Sequence, residues 1–135
     1  MPEKVEHVFV YGTLLRGAPN HARFCADALT IEPACTTGRL YRLPAGFPAM
    51  VEEAHGTVYG EAMTFPDLEA TLARTDALEG TRPERPEHSL YLRRVRPVIL
   101  LRTGESVPAY CYVWQGPLPE GAVMVASVRS TPTTR

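Results

Sequence analysis

Apolar residues come in short runs along this chain, and the spacing of the runs predicts its elements. Residues 5–11, VEHVFVY, are rich in β-branched and aromatic side chains and stop at Gly12, as a first strand entering a tight turn does. Pro19 and Asn20 open a short helix expected over 21–29. Residues 30–43 read as strand broken near 36–38, and the Pro and Gly content of 44–48 makes that stretch a loop. A hairpin is expected next, with 49–52 and 57–64 as its arms and 53–56 as its turn.

Pro66 suits the first turn of a helix, where its missing N–H has no intrahelical partner, and Gly80 suits the stop, so the spacing predicts a helix over 66–79. A charged, proline-bearing loop follows over 80–88. Strands at 89–101 and 107–115 then flank the turn signal Thr103-Gly104-Glu105-Ser106 and are expected to pair antiparallel. Strands before, between and after two helices, several joined by hairpin-length turns, indicate an α+β fold with a largely antiparallel sheet. No repeat or linker divides residues 1–135, so one domain is expected, and the last six residues, 130–135, carry too little apolar surface to order themselves.

Composition narrows the function. Hydrophobic residues make up 44% of the 135 and charged residues 21%, the balance of a soluble globular domain. Fourteen Lys and Arg against fifteen Asp and Glu give a formal charge of −1, which leaves no cationic excess for a nucleic-acid backbone. The opening MPEKVEHVFVY has neither a basic n-region nor a continuous apolar core, and no apolar run reaches the roughly 20 residues that span a bilayer, so a cytoplasmic protein without a membrane partner is expected. Cys25, Cys35 and Cys111 are odd in number and lack C-x-x-C spacing, against a disulfide framework or a thiolate metal cage; they read as small core residues. His7, His21, His55 and His88 are scattered without ligand spacing, so no metal site is expected, and no serine sits in G-x-S-x-G.

Two features carry chemistry. The first is Tyr11-Gly12-Thr13-Leu14-Leu15-Arg16-Gly17. Glycines at a strand-to-helix turn permit positive φ, so that successive N–H groups point into one concavity suited to an anion or a developing oxyanion. A glycine-rich turn without a ligand fits the local pattern equally well, and the phosphate-loop pattern is absent. The second is Glu79. At 100° per residue from Leu68, Leu72 falls at about 40°, Thr75 at about 340°, Leu78 at about 280° and Glu79 at about 20°, which turns this carboxylate inward with the leucines. Glu69, Arg74 and Asp76 fall outside or at the border of that face, where solvated charges belong. A carboxylate facing a core is costly unless paired or used, and desolvation raises its pKa toward the range of a general base. A frayed last turn, or a pair with an arginine such as Arg93, accommodates the same spacing. Beside these, Tyr91 and Arg93 share one strand face and Tyr110, Tyr112 and Trp114 another, giving either an aromatic wall beside the site or plain core.

Taken together, VFVYGTLLRGAPNH at 8–21, the Gly60-Glu61 pair in VYGEAM, Asp76-Ala77-Leu78-Glu79-Gly80 and Tyr91-Leu92-Arg93 closely resemble the γ-glutamyl cyclotransferase family, in its γ-glutamylamine branch. The resemblance implies a small mixed, largely antiparallel, β-barrel-like sheet with flanking helices. It implies an enzyme that needs no cofactor and releases 5-oxoproline and a free amine or amino acid from a small γ-glutamyl substrate. Glu79 would be its catalytic acid and base, and the backbone of Tyr11, Gly12, Thr13 and Leu14 would hold the γ-glutamyl group; with the strand faces read as an aromatic wall, Tyr91 and Tyr112 are expected to join the substrate site. A monomer or weak homodimer is expected. One departure stands out: 81–90 is long and proline-rich where a short connection is expected. Two rival readings remain at this level, a binding module that keeps the cavity without the chemistry and a cysteine-dependent hydrolase or thiol sensor.

Overall fold

The structure is a computed structural model that describes residues 4–12, 17–18 and 21–126, the side chain of Arg23 excepted. In chain order the elements are β1 (His7–Val10), α1 (His21–Phe24), β2 (Thr30–Thr37), β3 (Arg39–Arg42), β4 (Pro48–Val51), β5 (Thr57–Thr64), α2 (Leu68–Glu79), β6 (Tyr91–Leu100), β7 (Ser106–Trp114) and β8 (Val123–Val125). Five strands close into a barrel in the order β1-β5-β2-β6-β7, sealed by a parallel pairing of β1 with β7; its other pairings are antiparallel. A second sheet of three antiparallel strands, β4-β3-β8, packs beside it.

Closure explains the apolar run of the first strand. Phe9 points into the barrel with Ala34, Val58, Ala62, Val98 and Cys111, while Val8 and Val10 point out beneath the helices, against Cys25, Met63 and Leu72. A strand covered on both faces has no polar alternation to show. Gly60 is required where β5 crosses β1, because a Cβ there would lie 2.2 Å from the Val10 carbonyl oxygen.

Several expected elements differ. The hairpin of 49–52 with 57–64 does not form: β4 pairs with β3, and β5 is taken up between β1 and β2. Eight residues of β5 pair with β2, far more than a four-residue arm offers. The first helix is a single turn ending at Phe24, since the Leu29 N–H is already committed to the Thr64 carbonyl at 2.7 Å. The second helix begins two residues later than expected, with Asp67 as N-cap accepting the Ala70 N–H at 3.1 Å. Strand β8 lay within a segment with no strand reading. The break between β2 and β3 at Gly38 and the antiparallel pairing of β6 with β7 match the sequence pattern. Residues 130–135 lie outside the described residues.

Candidate functional site

Helix α2 ends in a Schellman motif: Gly80 adopts φ +64°, its N–H reaches the Ala77 carbonyl, and the Thr81 N–H reaches the Asp76 carbonyl at 2.9 Å. Glu79 is therefore held in a capped last turn. Its half-buried side chain lines a cavity of about 210 Å³ together with Leu78 from the same helix. Tyr11, at the end of β1, forms another part of the wall beside Tyr91 and Trp114 of the β6–β7 pair. Leu43, Pro48, Phe47 and Leu90 complete it. The helix end that carries the acid and the strand end that carries the glycine turn thus open onto one space.

The chemistry of this space is set by desolvation. Burial pushes the Glu79 carboxyl up from its ordinary value near 4.5 to about 7. The same burial, with the nearby Glu79 charge adding to it, raises the Tyr91 phenol; Tyr11 is raised well above its ordinary value, again mainly by burial. Both phenols are fixed by the fold. Tyr11 Oη donates to the Tyr112 carbonyl at 2.7 Å and accepts the Met50 N–H at 3.0 Å, and Tyr91 Oη donates to the Pro48 carbonyl at 2.7 Å. Trp114 Nε1 donates to the Pro117 carbonyl at 3.1 Å, and its ring meets Tyr91 edge-on at 5.3 Å. Gly12 sits at φ +78°, and a Cβ there would lie 2.5 Å from Pro48 Cγ, so close approach as well as backbone conformation calls for glycine.

The sequence-predicted residues divide accordingly. Glu79, Tyr11 and Tyr91 meet at the cavity, and Gly12 forms the turn beside it. Thr13 and Leu14 lie outside the described residues. Tyr112 is buried, with 3% of its surface exposed, and does not line the cavity; its hydroxyl donates to Asp76 Oδ1 and also meets Thr75 Oγ1, both at 2.6 Å. Asp76 corrects the helical reading. Placed by periodicity at the solvated border, it is buried, and its second oxygen pairs with Arg93 at 2.6 Å. Arg93 is thereby the partner of Asp76 rather than of Glu79, and its guanidinium also lies 5.3 Å from the Tyr110 ring centroid. The sequence missed Leu43, Phe47, Pro48, Leu78 and Leu90 as cavity residues; three of the five flank or lie within loops whose only signal was Pro and Gly content.

Two of the three cysteines are poorly placed for nucleophilic chemistry. Burial pushes the Cys25 thiol up to about 11 and the Cys111 thiol to about 12, which keeps both protonated and weakly nucleophilic at neutral pH. Among the described residues no three His, Cys, Asp or Glu side chains converge as a metal site does, and no helix is long and apolar enough to cross a membrane.

A small closed barrel whose capped helix aims a desolvated carboxyl at a cavity beside a glycine turn defines the class. The sequence profile of the family described as "Gamma-glutamyl cyclotransferase, AIG2-like" matches residues 8–128, and the chain belongs to that family. It is 32% identical over 111 residues, 82% of this chain and 85% of the other, to a Methanocaldococcus jannaschii protein named "Putative gamma-glutamylcyclotransferase". The crystal structure of an AIG2-like protein from Mus musculus superposes with a TM-score of 0.71 at 26% identity, covering 98% of this chain and 99% of that one. A solution structure from Arabidopsis thaliana superposes at 0.63 with 28% identity, over 84% of this chain and 64% of that one.

Proposed function

We propose that this protein is a γ-glutamyl cyclotransferase that converts a γ-glutamyl amide into 5-oxoproline and a free amine, with Glu79 as acid and base. The observation that carries the reading is the Glu79 carboxyl at the wall of an apolar cavity, raised by burial to about 7. At neutral pH such a group is present in both protonation states, which suits an acid/base catalyst.

The reaction forms a bond between the substrate's α-nitrogen and its γ-carbonyl carbon and breaks the bond from that carbon to the amide nitrogen. Glu79 as carboxylate takes the proton that the attacking α-amine must lose. As carboxylic acid it returns that proton to the departing nitrogen, so protons balance over the cycle and no cofactor takes part. Holding amine and carbonyl at bonding distance replaces a bimolecular encounter with ring closure. Backbone N–H groups of the Tyr11 to Leu14 turn stabilise the negative charge on the carbonyl oxygen or grip the α-carboxylate. Tyr91 shapes the wall, and Tyr112 acts behind it, through the helix that carries Glu79.

Release of 5-oxoproline from γ-glutamyl amides is the direct test. Glu79→Gln is expected to lower turnover about 100- to 10,000-fold, the usual worth of a positioned acid/base group, while calorimetry still detects amide binding. Turnover at the wild-type rate by this variant sinks the proposal.

A further inference from the structure

Among the described residues, the neutral side-chain donors on the cavity wall are already spent. The hydroxyl protons of Tyr11 and Tyr91 and the indole N–H of Trp114 all go to backbone carbonyls, and among the described residues no Lys or Arg lines the cavity. The other polar side chain on the described wall is Glu79, whose carboxyl accepts when ionised and donates when protonated. With Glu79 ionised such a wall welcomes an ammonium, and its described side chains include no cation for a second carboxylate.

At the mouth stand two large apolar side chains in water, Phe47 with 57% and Leu90 with 58% of their surface exposed. Neither is loosely held. The Phe47 carbonyl accepts the Leu43 N–H at 2.8 Å, in a turn closed by the Gly46 N–H on the Leu43 carbonyl. Leu90 is tied on both sides, by its N–H to the Gly80 carbonyl at 2.9 Å and by its carbonyl to the Gln115 N–H at 3.0 Å. Its side chain lies against Gly80, the residue after Glu79, where an added Cβ would be 3.1 Å from Leu90 Cδ1. The proline-rich 81–90 loop, bridged internally by Ser89 Oγ accepting the Arg82 N–H at 2.8 Å, thus delivers an apolar side chain next to the acid.

We infer that Phe47 and Leu90 are specificity-determining residues that grip the leaving amine, and that the favoured substrates are γ-glutamyl amides of apolar alkyl or arylalkyl amines. The inference rests on the cyclotransferase reading. In that reaction the γ-glutamyl half carries an ammonium and a carboxylate, neither of which an apolar rim recognises. The departing nitrogen receives its proton from Glu79, so its carbon substituent extends past Gly80 over Leu90 and toward Phe47. An amine bearing a charged end along the same path meets apolar surface at the point where it needs solvation or a counter-ion.

The test compares kcat/KM for 5-oxoproline release from the γ-glutamyl amides of ethylamine, hexylamine and phenethylamine, from γ-glutamyl-ε-lysine, whose chain is of similar reach but charged at its end, and from γ-glutamyl-alanine. Each methylene buried on the rim is worth about three- to fourfold, so the hexylamide and phenethylamide are expected to exceed the ethylamide by about tenfold or more and to exceed both charged amides. Phe47→Ser and Leu90→Ser, at exposed positions, are expected to collapse the hexyl-to-ethyl ratio toward one. A hexylamide no better than the ethylamide, either charged amide preferred over it, or a ratio that survives both substitutions overturns the inference and leaves the cyclotransferase reading standing. No release from any of the five amides overturns that reading, and the inference with it.

Discussion

Replacing Glu79 by Gln has a second consequence, in stability, that is independent of any substrate. The folded carboxyl titrates at about 7 and the unfolded one near 4.5, because burial penalises its charged form. A group whose folded pKa is raised stabilises the fold below its unfolded pKa and loses that contribution as pH rises through the folded pKa. A difference of about 2.5 pKa units corresponds to roughly 3.4 kcal/mol at 1.36 kcal/mol per unit, and partial solvent contact of the side chain reduces it to about 2–3 kcal/mol. The wild-type protein is therefore expected to lose about 2–3 kcal/mol between pH 4.5 and pH 8 through this residue alone. Glu79→Gln removes the titration and keeps the shape. Urea unfolding of both proteins at several pH values across that window isolates the term, since all other titrating groups cancel in the difference. The variant is expected to gain on the wild type steadily as pH rises. A stability difference that stays flat from pH 4.5 to pH 8 refutes the desolvated carboxyl, and with it the physical basis of its acid/base role.

Two further substitutions probe what supports the site. Asp76→Asn leaves Arg93 without its counter-charge in a largely buried setting and is expected to cost about 3 kcal/mol in urea unfolding. Because Asp76 lies one helical turn before Glu79, turnover of the folded variant is also expected to fall, by up to about 100-fold if the acid is misplaced by an ångström; unchanged stability contradicts the network. Gly12→Ala must hold φ +78° and fit a Cβ 2.5 Å from Pro48 Cγ, so a loss of about 2 kcal/mol is expected together with weaker substrate binding. Thermal unfolding and the KM for a γ-glutamyl amide check it, and a variant equal to wild type in both contradicts the tight approach of that turn.

Residues close in the chain were legible from the sequence. The 100° period brought Glu79 round to the face of Leu68 and Leu72, and Gly80 marked the stop that the Schellman motif realises. The apolar run into Gly12, the break at Gly38 and the pairing of β6 with β7 around Gly104 were equally local, since turn chemistry and side-chain period act over a few residues. Asp76 shows where such reasoning stops. Periodicity gives a direction around the helix, and whether that direction meets water depends on what the rest of the chain puts there. Tyr112 and Arg93, 36 and 17 residues away, made it a buried, paired position. The partner of β4 and the existence of β8 were likewise settled by competition among strands distant in sequence. The mouth of the cavity belongs to the same category: Phe47 and Leu90 come from separate loops, and only barrel closure and the packing of the second sheet bring them to the one cavity that Glu79 also lines.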